Sequence, residues 1–483
     1  MLGKIGENLR QPKPFYVIFV IEMWERFGFY GMQAILVYYM IHKMGYEDKV
    51  AFNVYAALVA LLYGFMVLGG WVGDKILGIK RTILLGAFFL AVGYFLLGVP
   101  ETHVMFLGMG TIAVGNGLFK ANPSSLLSKC YEEGNPRIDG AFTLYYMAIN
   151  IGSFFSFAFV PILADRYGWS VGFWTSSVGL LVAIIYFVST YHWAKQVDSP
   201  VGLRKTPWLR FIPVIIGGMA LAFISAWLLT HLSVTHWLLL VIGIIILAIF
   251  ARLILKNHGR ARTNLIVALI LMIEAIVYWV LNMQIPTSLT LYAVHNVNLH
   301  ILGINLNPLT FQALNPAWIF VASPILAYFY TTFGKIGKDL SLPTKFTIGM
   351  FLCAFGFLLG GVSRYFGGTT GIVSPFWLVG LYGFISVGEL LISGLGLAMV
   401  TRLVPQQNMG FMMGVWWMTM VTGSVIAGFV SGLTNVPKNV VEPLKTLPIY
   451  THVFTEIGVC TLIFAILMAL ITPKLNRVLR RVL

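Results

Sequence analysis

Charged residues are scarce in this chain of 483 residues, because Asp, Glu, Lys and Arg together make up 10% of it while hydrophobic residues make up 58%. Soluble domains carry about 25% charged residues, so this composition and a mean hydropathy of +0.85 exclude a soluble globular protein. Cysteine is also scarce, and Cys130, Cys353 and Cys460 lack the spacing of a disulfide framework. We expect three free thiols without a disulfide role.

Histidine is missing from the middle of every apolar segment, since all nine His residues fall in loops or near segment ends. A membrane-embedded metal enzyme needs ligands that converge at one depth, and no nucleophile–base pair stands out. We therefore expect no enzymatic activity, no metal and no cofactor. The net charge of +15 does not indicate nucleic acid binding, because the basic residues recur in short loops rather than in one patch.

Apolar segments long enough to cross a bilayer, about 20 residues each, recur along the whole chain. Most of the 32 basic residues lie in loops on the side that holds both ends of the chain, and the positive-inside rule assigns that side to the cytoplasm. The sequence thus predicts an all-α polytopic protein of the cytoplasmic (inner) membrane with both termini cytoplasmic. The fourteen predicted transmembrane helices are 15–42, 50–74, 80–99, 103–128, 138–165, 169–193, 208–230, 234–255, 264–294, 308–332, 342–364, 374–404, 408–434 and 449–472.

Two consecutive segments, 208–230 and 234–255, are almost purely apolar and carry no ionisable group in their central parts. We interpret them as an inserted hairpin. Without it, six helices remain in each half, which is the parallel-halves plan of many transporters, with a binding site expected at mid-membrane between the halves. The predicted divisions are a six-helix bundle at 1–194, a connector with the hairpin at 195–260, and a six-helix bundle with a short basic tail at 261–483.

The first segment contains an unusual group of charges, Glu22, Glu25 and Arg26. A charge at mid-membrane costs about 2.5–3.5 kcal/mol and persists mainly where it faces a cavity or an opposite charge. Offsets of three and four place these residues on one helix face, which Tyr30 and Gln33 continue. This polar helix face therefore points inward. It either lines a transport pathway or forms a neutral group of ion pairs that only holds helices together.

The loop Gly69–Thr82 joins the second segment to the third and resembles the signature of the major facilitator superfamily. Its small residues allow helices to approach closely, and its basic residues hold it at the cytoplasmic surface. Gly334–Lys338 occupies the corresponding place in the second half in a weaker form. The resemblance implies the major facilitator superfamily fold with six, two inserted and six helices, but it says little about the substrate.

Four further stretches resemble signatures of the proton-dependent oligopeptide transporter family: Glu22–Gly31, Gly115–Pro123, Phe142–Ser153 and Gly388–Gly394. That family imports di- and tripeptides together with protons by alternating access. The resemblance implies that Glu22, Glu25 and Arg26 form a proton-coupling group. It further implies that the peptide carboxylate meets Arg26 and Lys120, the amino terminus meets Glu389, Asn150 and Asn315, the backbone meets Tyr30 and Tyr63, and a peptide side chain meets Trp416.

A zwitterionic peptide brings one carboxylate and one ammonium group at a fixed separation. A cavity with cations in one half and an acid in the other would orient it, since each unpaired buried charge is costly. If the peptide carboxylate competes for Arg26, the abandoned glutamate would take up a proton, which links binding to protonation. Alternatives remain for single residues: Lys120 and Glu389 could be a plain salt bridge between the halves, and the tyrosines and Trp416 could serve packing alone.

The chain departs from the common family pattern at a position that often carries a charge pair between the halves. Gln33 stands where many members have Arg, and Asn282 and Met283 stand before Gln284 where many have Glu. The usual extracellular latch and one proton site are therefore in doubt. Glu274 lies about half a turn out of phase with Met283 at roughly 100° per residue, so we expect a structural role for it, with a coupling role as the alternative.

The predicted function is proton-coupled import of di- and tripeptides by a chain that functions as a monomer in membrane lipid. One alternative is a proton-coupled carrier of another small zwitterion or organic anion. Another is a peptide sensor that binds but does not transport.

Overall fold

The structure is a computed structural model that describes residues 11–131, 138–204, 208–301, 303–335, 340–403, 409–437, 440 and 442–480. Long helices dominate it, which confirms the predicted all-α polytopic architecture. The helices are α1 (Lys13–His42), α2 (Asp48–Gly64), α3 (Met66–Lys75), α4 (Ile79–Leu97), α5 (Thr102–Lys120), α6 (Asn122–Ser128), α7 (Ile138–Tyr167), α8 (Trp169–Ser189), α9 (Phe211–Thr230), α10 (Leu232–Lys256), α11 (Gly259–Asn282), α12 (Thr290–Asn296), α13 (Leu314–Lys335), α14 (Leu342–Val362), α15 (Phe376–Leu403), α16 (Met409–Gly432) and α17 (Pro443–Arg480).

Shorter elements join these helices. A π-helical turn, Ile285–Leu289, links α11 to α12, and a small antiparallel hairpin, β1 (His300–Ile301) with β2 (Ile304–Asn305), follows α12. Short 3-10 helices occupy Tyr191–Ala194, Trp208–Arg210, Pro308–Ala313 and Ser363–Phe366.

Thirteen helical segments of the described chain are long and apolar enough to cross a membrane. The 30-residue α1 adds a further long helix, with Glu22, Glu25 and Arg26 in its central part. Each of the fourteen predicted spans therefore coincides with one long helix or with a helix interrupted once. All three cysteines are free, as expected.

The chain forms two compact units, of which unit 1 comprises Met1–Tyr39 and Leu61–Leu232, and unit 2 comprises Met40–Ala60 and Ser233–Leu483. Packing thus divides the chain at different places from the three predicted ranges, 1–194, 195–260 and 261–483, which remain a prediction. The two helices of the inserted hairpin, α9 and α10, belong to different units.

Within unit 1, glycine allows α4 and α5 to pack backbone to backbone. A Cβ atom placed on Gly93 would lie 3.0 Å from the Gly108 carbonyl oxygen, and one on Gly86 would lie 2.9 Å from the Gly115 carbonyl oxygen. Such close approach replaces the hydrophobic driving force that is absent between helices in lipid. It fixes the position of α5, which carries Lys120 at its end. Within unit 2, α11 packs against α14, α15, α16 and α17.

The loop between α3 and α4 is clamped by the connector that follows α8. The Asp198 carboxylate accepts hydrogen bonds from the backbone N–H groups of Ile79 and Ser199, both at 2.7 Å, and thereby caps α4. Lys80 is 1% exposed, donates to the Ala194 carbonyl at 2.6 Å and lies 3.9 Å from Asp198. Lys80, one of the basic residues that we expected to hold this loop at the cytoplasmic surface, is thus buried in an ion pair. The last part of its weaker copy, residues 336–338, lies outside the described residues.

We predict that Asp198→Ala lowers the free energy of unfolding by at least about 2 kcal/mol, because it removes a helix cap and leaves Lys80 buried without its counter-charge. Thermal unfolding in detergent measures the change. Asp165→Ala, at an exposed position of α7, is the matched control and should be close to neutral. Equal losses in the two variants would contradict the clamp.

Candidate functional site

Polar and charged side chains collect at two places, one in each unit. The first cluster is defined as Glu22, Glu25, Arg26, Asn116 and Lys120 in unit 1. The second cluster is defined as Tyr278, Asn282, Asn315, Ser386 and Glu389 in unit 2.

The first cluster contains two acids and two bases that neutralise each other. The guanidinium of Arg26 donates to both carboxylate oxygens of Glu25 through Nε and Nη2. Its Nε atom also lies 3.8 Å from Glu22 Oε1, and the same oxygen accepts a hydrogen bond of 2.8 Å from Lys120 Nζ. Glu22 and Glu25 are fully buried, whereas the Lys120 side chain keeps 12% of its surface exposed. All four charges are thus satisfied within unit 1.

Helix periodicity brings this cluster together. Glu22, Glu25 and Arg26 share one face of α1, and Asn116 and Lys120 are four residues apart on α5. The Asn116 Oδ1 atom accepts a hydrogen bond of 3.3 Å from Arg26 Nη2. Its Nδ2 atom donates to the backbone carbonyl of Leu62 at 3.1 Å. Asn116 therefore ties α1, α2 and α5 together and holds the guanidinium in place.

Aromatic side chains surround the Arg26 guanidinium. Its Cζ atom lies 4.8 Å from the centre of the Phe29 ring and 5.9 Å from that of Tyr30, both within the range of cation–π contacts. Arg26 also hydrogen-bonds with Tyr63, and Tyr145 on α7 interacts with Glu22. The structure therefore brings both predicted tyrosines, Tyr30 and Tyr63, to the first cluster.

The second cluster presents an acid held by amides. The Glu389 Oε2 atom accepts hydrogen bonds from Asn315 Nδ2 at 2.9 Å and from Asn282 Nδ2 at 3.4 Å. Asn315 also donates to the Ser386 hydroxyl at 3.0 Å, and Asn282 donates to the Tyr278 hydroxyl at 2.9 Å. Glu389 is only partly buried, and no described cation of unit 2 forms an ion pair with it. It is thus an oriented carboxylate with capacity for a cationic ligand.

Three other predicted residues are Asn150, Trp416 and Gln33. Asn150 is buried on α7 and donates to the Tyr146 carbonyl of its own helix at 2.9 Å. Trp416 is 2% exposed and packs against Gly396, where a Cβ atom would overlap the indole ring. Their roles toward a peptide remain predictions, as does that of Gln33, which is 9% exposed on α1.

A neutral hydrogen-bond network surrounds Gln284, the residue that follows Met283. Gln284 Oε1 accepts hydrogen bonds from the hydroxyls of Ser288, at 2.7 Å, and Ser431, at 2.9 Å. Thr287 shares a further hydrogen bond of 2.8 Å with Ser431. Met283 itself is 7% exposed. These buried groups satisfy one another without any charge.

Sequence reasoning missed three members of the two clusters and one residue that interacts with Glu22 of the first cluster: Asn116, Tyr278, Ser386 and Tyr145, the last being the residue beside Glu22. Helical spacing could have identified three of them. Asn116 precedes Lys120 by four residues, Tyr278 precedes Asn282 by four, and Ser386 precedes Glu389 by three, so each pair shares a helix face. Among the described residues, no group of three or more His, Cys, Asp or Glu side chains could hold a metal ion.

Comparisons with known proteins agree over nearly the whole chain. The model of the POT family matches residues 80–451. The dipeptide and tripeptide permease A of Escherichia coli (strain K12) is 49% identical over 470 residues, which cover 97% of this chain and 93% of that protein. The dipeptide and tripeptide permease B of Photorhabdus asymbiotica subsp. asymbiotica is 47% identical over 474 residues, which cover 98% and 97%.

Solved structures are similar along the same length. The crystal structure of tetrameric PepTSo2 matches with a TM-score of 0.87 and 37% identity, covering 96% of this chain and 99% of that chain. A structure solved to study substrate recognition in proton dependent oligopeptide transporters matches with a TM-score of 0.85 and 38% identity, with the same coverage.

We predict that Asn116→Leu lowers the free energy of unfolding by about 1–3 kcal/mol, because it leaves the buried Leu62 carbonyl and one donor of Arg26 without a partner. Thermal unfolding in detergent again provides the measurement. Asn257→Leu is the control, because Asn257 is a partly exposed residue whose amide donates only to its own helix, at Leu253. A loss no larger than that of the control would contradict the bridging role.

Proposed function

This chain belongs to the POT family, and from that premise we propose that it is a proton-coupled symporter that imports di- and tripeptides by alternating access. The observation that carries the proposal is the pairing of two dissimilar clusters in one chain. One supplies buried cations, and the other supplies a partly exposed carboxylate that has no ion-pair partner among the described residues of its own unit. These are the counterparts of the two ends of a zwitterionic peptide.

The first cluster is suited to receive the peptide carboxylate by exchange. Arg26 and Lys120 are already neutralised by Glu25 and Glu22. An incoming carboxylate must therefore displace one glutamate from its partner, since a third acid would leave the cluster with an unbalanced negative charge. The displaced glutamate, buried and without a cation, would then take up a proton. Peptide binding and proton uptake are coupled in this way, and by linkage each promotes the other.

The second cluster is suited to receive the amino terminus. Asn315 and Asn282 orient the Glu389 carboxylate through one oxygen, and an ammonium group can bind this carboxylate in place of the longer of the two hydrogen bonds, the one from Asn282. Asn and Tyr side chains can meet the peptide backbone without reading its side chains. We therefore expect a site that is tolerant of peptide sequence and strict about length.

We further propose that the protein lies in the inner membrane with both termini cytoplasmic, as the distribution of basic residues favours. It should function as a monomer, because each chain carries both clusters. A tetramer such as that of PepTSo2 would then hold one complete set of groups per chain.

We predict that Glu22→Gln and Glu25→Gln abolish accumulation of labelled dialanine in proteoliposomes under an imposed pH gradient, while counterflow partly survives. The glutamine side chain cannot release or take up the coupled proton, whereas exchange of peptide across the membrane requires no net proton movement. Glu456→Gln changes an exposed carboxylate on α17 and serves as the control, which should accumulate dialanine normally.

Each outcome of this experiment separates the candidate functions. Binding of dialanine without accumulation by the unmodified protein would indicate a sensor. Proton-driven uptake of another compound without competition by dialanine would indicate a different carrier. Undiminished accumulation in both glutamine variants would remove the first cluster from the coupling mechanism.

We predict that the two clusters read different ends of the peptide. Lys120→Met should lose the preference for dialanine over dialanine amide, and Glu389→Gln should lose the preference for dialanine over its N-acetyl form. A charge-assisted hydrogen bond is worth about 1.5–3 kcal/mol, so each lost preference should amount to about 10–100-fold in competition assays. Each variant should keep the preference for the other end. Loss of both preferences in either variant would contradict the division of roles.

A further inference from the structure

Glu274 differs from every other acid described above. Its side chain lies on α11, is 0% exposed, and neither of its carboxyl oxygens has a hydrogen-bond partner among the described residues. By contrast, Glu25 is paired with Arg26, and Glu389 is held by two amides. A buried acid without these compensations requires a physical reason.

Burial determines the protonation state of Glu274 in this conformation. An ionised carboxylate without a counter-charge costs several kcal/mol in such surroundings, so the group takes up a proton instead. Even the neutral carboxyl costs about 1–3 kcal/mol when its donor and acceptor are unmet. An apolar side chain of similar size would avoid that cost, so a purely structural role gains nothing from an acid here. The benefit that offsets the cost of burying this carboxyl group must therefore arise in another conformation.

The elements packed against α11 place no described donor on the carboxyl group of Glu274. The ionisable side chains of α14 are Lys345 and Cys353, those described on α15 are Tyr382 and Glu389, and the buried part of α17 contributes Tyr450. The segment Met409–Gly432, α16, carries none. None of the groups described here donates a hydrogen bond to either carboxyl oxygen of Glu274. Ionisation therefore requires that water reach the side chain, which in turn requires that α11 move.

The end of α11 carries two features that would allow this movement: a hydrogen bond to the second cluster and a π-helical turn. Asn282, at the end of α11, donates to Glu389, and it lies about 12 Å along the helix axis from Glu274 at 1.5 Å per residue. The π-helical turn at Ile285–Leu289, which contains Pro286, then interrupts the regular helical hydrogen bonds. Such turns are sites of bending. A cation that takes the place of Asn282 on Glu389 would free α11 to tilt about this turn.

We propose that Glu274 is a proton-carrying residue of unit 2, protonated in this conformation and ionised when movement of α11 admits water from the cytoplasmic side. In that step the O–H bond of the carboxyl breaks and the proton passes to water. A proton from the external side restores the acid when the site faces outward. The proposal rests on the proton-coupled transport proposed above. Glu274 thus has a coupling role, which was the alternative in the sequence analysis, and not the structural role that its helical phase favoured.

The test counts protons per dialanine in proteoliposomes, from the membrane potential at which a fixed dialanine gradient produces no net flux. Glutamine is the neutral isostere of the protonated acid, so Glu274→Gln should fold and retain dialanine counterflow. The expected result is a ratio that is lower by one proton per dialanine than that of the unmodified protein. Glu456→Gln is the matched control and should keep the full ratio.

An unchanged ratio in a Glu274→Gln protein that folds and exchanges dialanine would overturn the proposal. Failure of the unmodified protein to accumulate dialanine with protons would instead overturn the proposed function, so the two failures can be told apart. Should the glutamine variant not fold, dicyclohexylcarbodiimide labelling of the unmodified protein decides, because this reagent attacks protonated carboxyls in apolar surroundings. A decrease in the labelling of Glu274 at a saturating concentration of dialanine supports the proposal. Labelling that is unchanged by dialanine refutes it.

Discussion

The mutual neutralisation of Arg26, Lys120, Glu22 and Glu25 is the interaction on which the rest of unit 1 depends. Each of these charges alone would cost several kcal/mol inside a membrane, but together they form a neutral group with most donors and acceptors engaged. Stability and function then share one constraint. In the proposed mechanism, a new carboxylate enters by replacing an old one, and the replaced acid becomes neutral.

The fold could be predicted almost completely, because hydropathy over about 20 residues directly reports the length of a spanning helix. The charged face of α1 could be predicted as well, since spacing fixes which residues share a helix face. The pairing of the individual acids and bases could not be predicted. Two acids and two bases on two helices allow more than one pairing, and only the packing of α1 against α5 makes Arg26 bind Glu25 while Lys120 binds Glu22.

Residues that act through geometry alone were the hardest to predict. Asn116 carries no charge and was not assigned a role, yet it connects three helices through one amide. The prediction that Trp416 lines a side-chain pocket stays a prediction, and the packing that spacing did not indicate is that its indole fills the space that Gly396 leaves by lacking a side chain. A motif indicates which residue types a family retains, but it does not indicate which of them face a cavity in one particular conformation.

The loss of the charge pair at Gln33 and Met283 has a consequence for proton movement in unit 2. The groups described next to Met283, namely Gln284, Thr287, Ser288 and Ser431, are neutral and engaged with one another, so they supply no proton carrier in place of the charge pair. In the proposed mechanism, Glu389 remains ionised in order to attract the ammonium group of the peptide. An additional proton carried by unit 2 would therefore require another acid. The carboxyl group of Glu274 on α11 is buried and has no hydrogen-bond partner among the described residues, which keeps such an acid neutral until water reaches it.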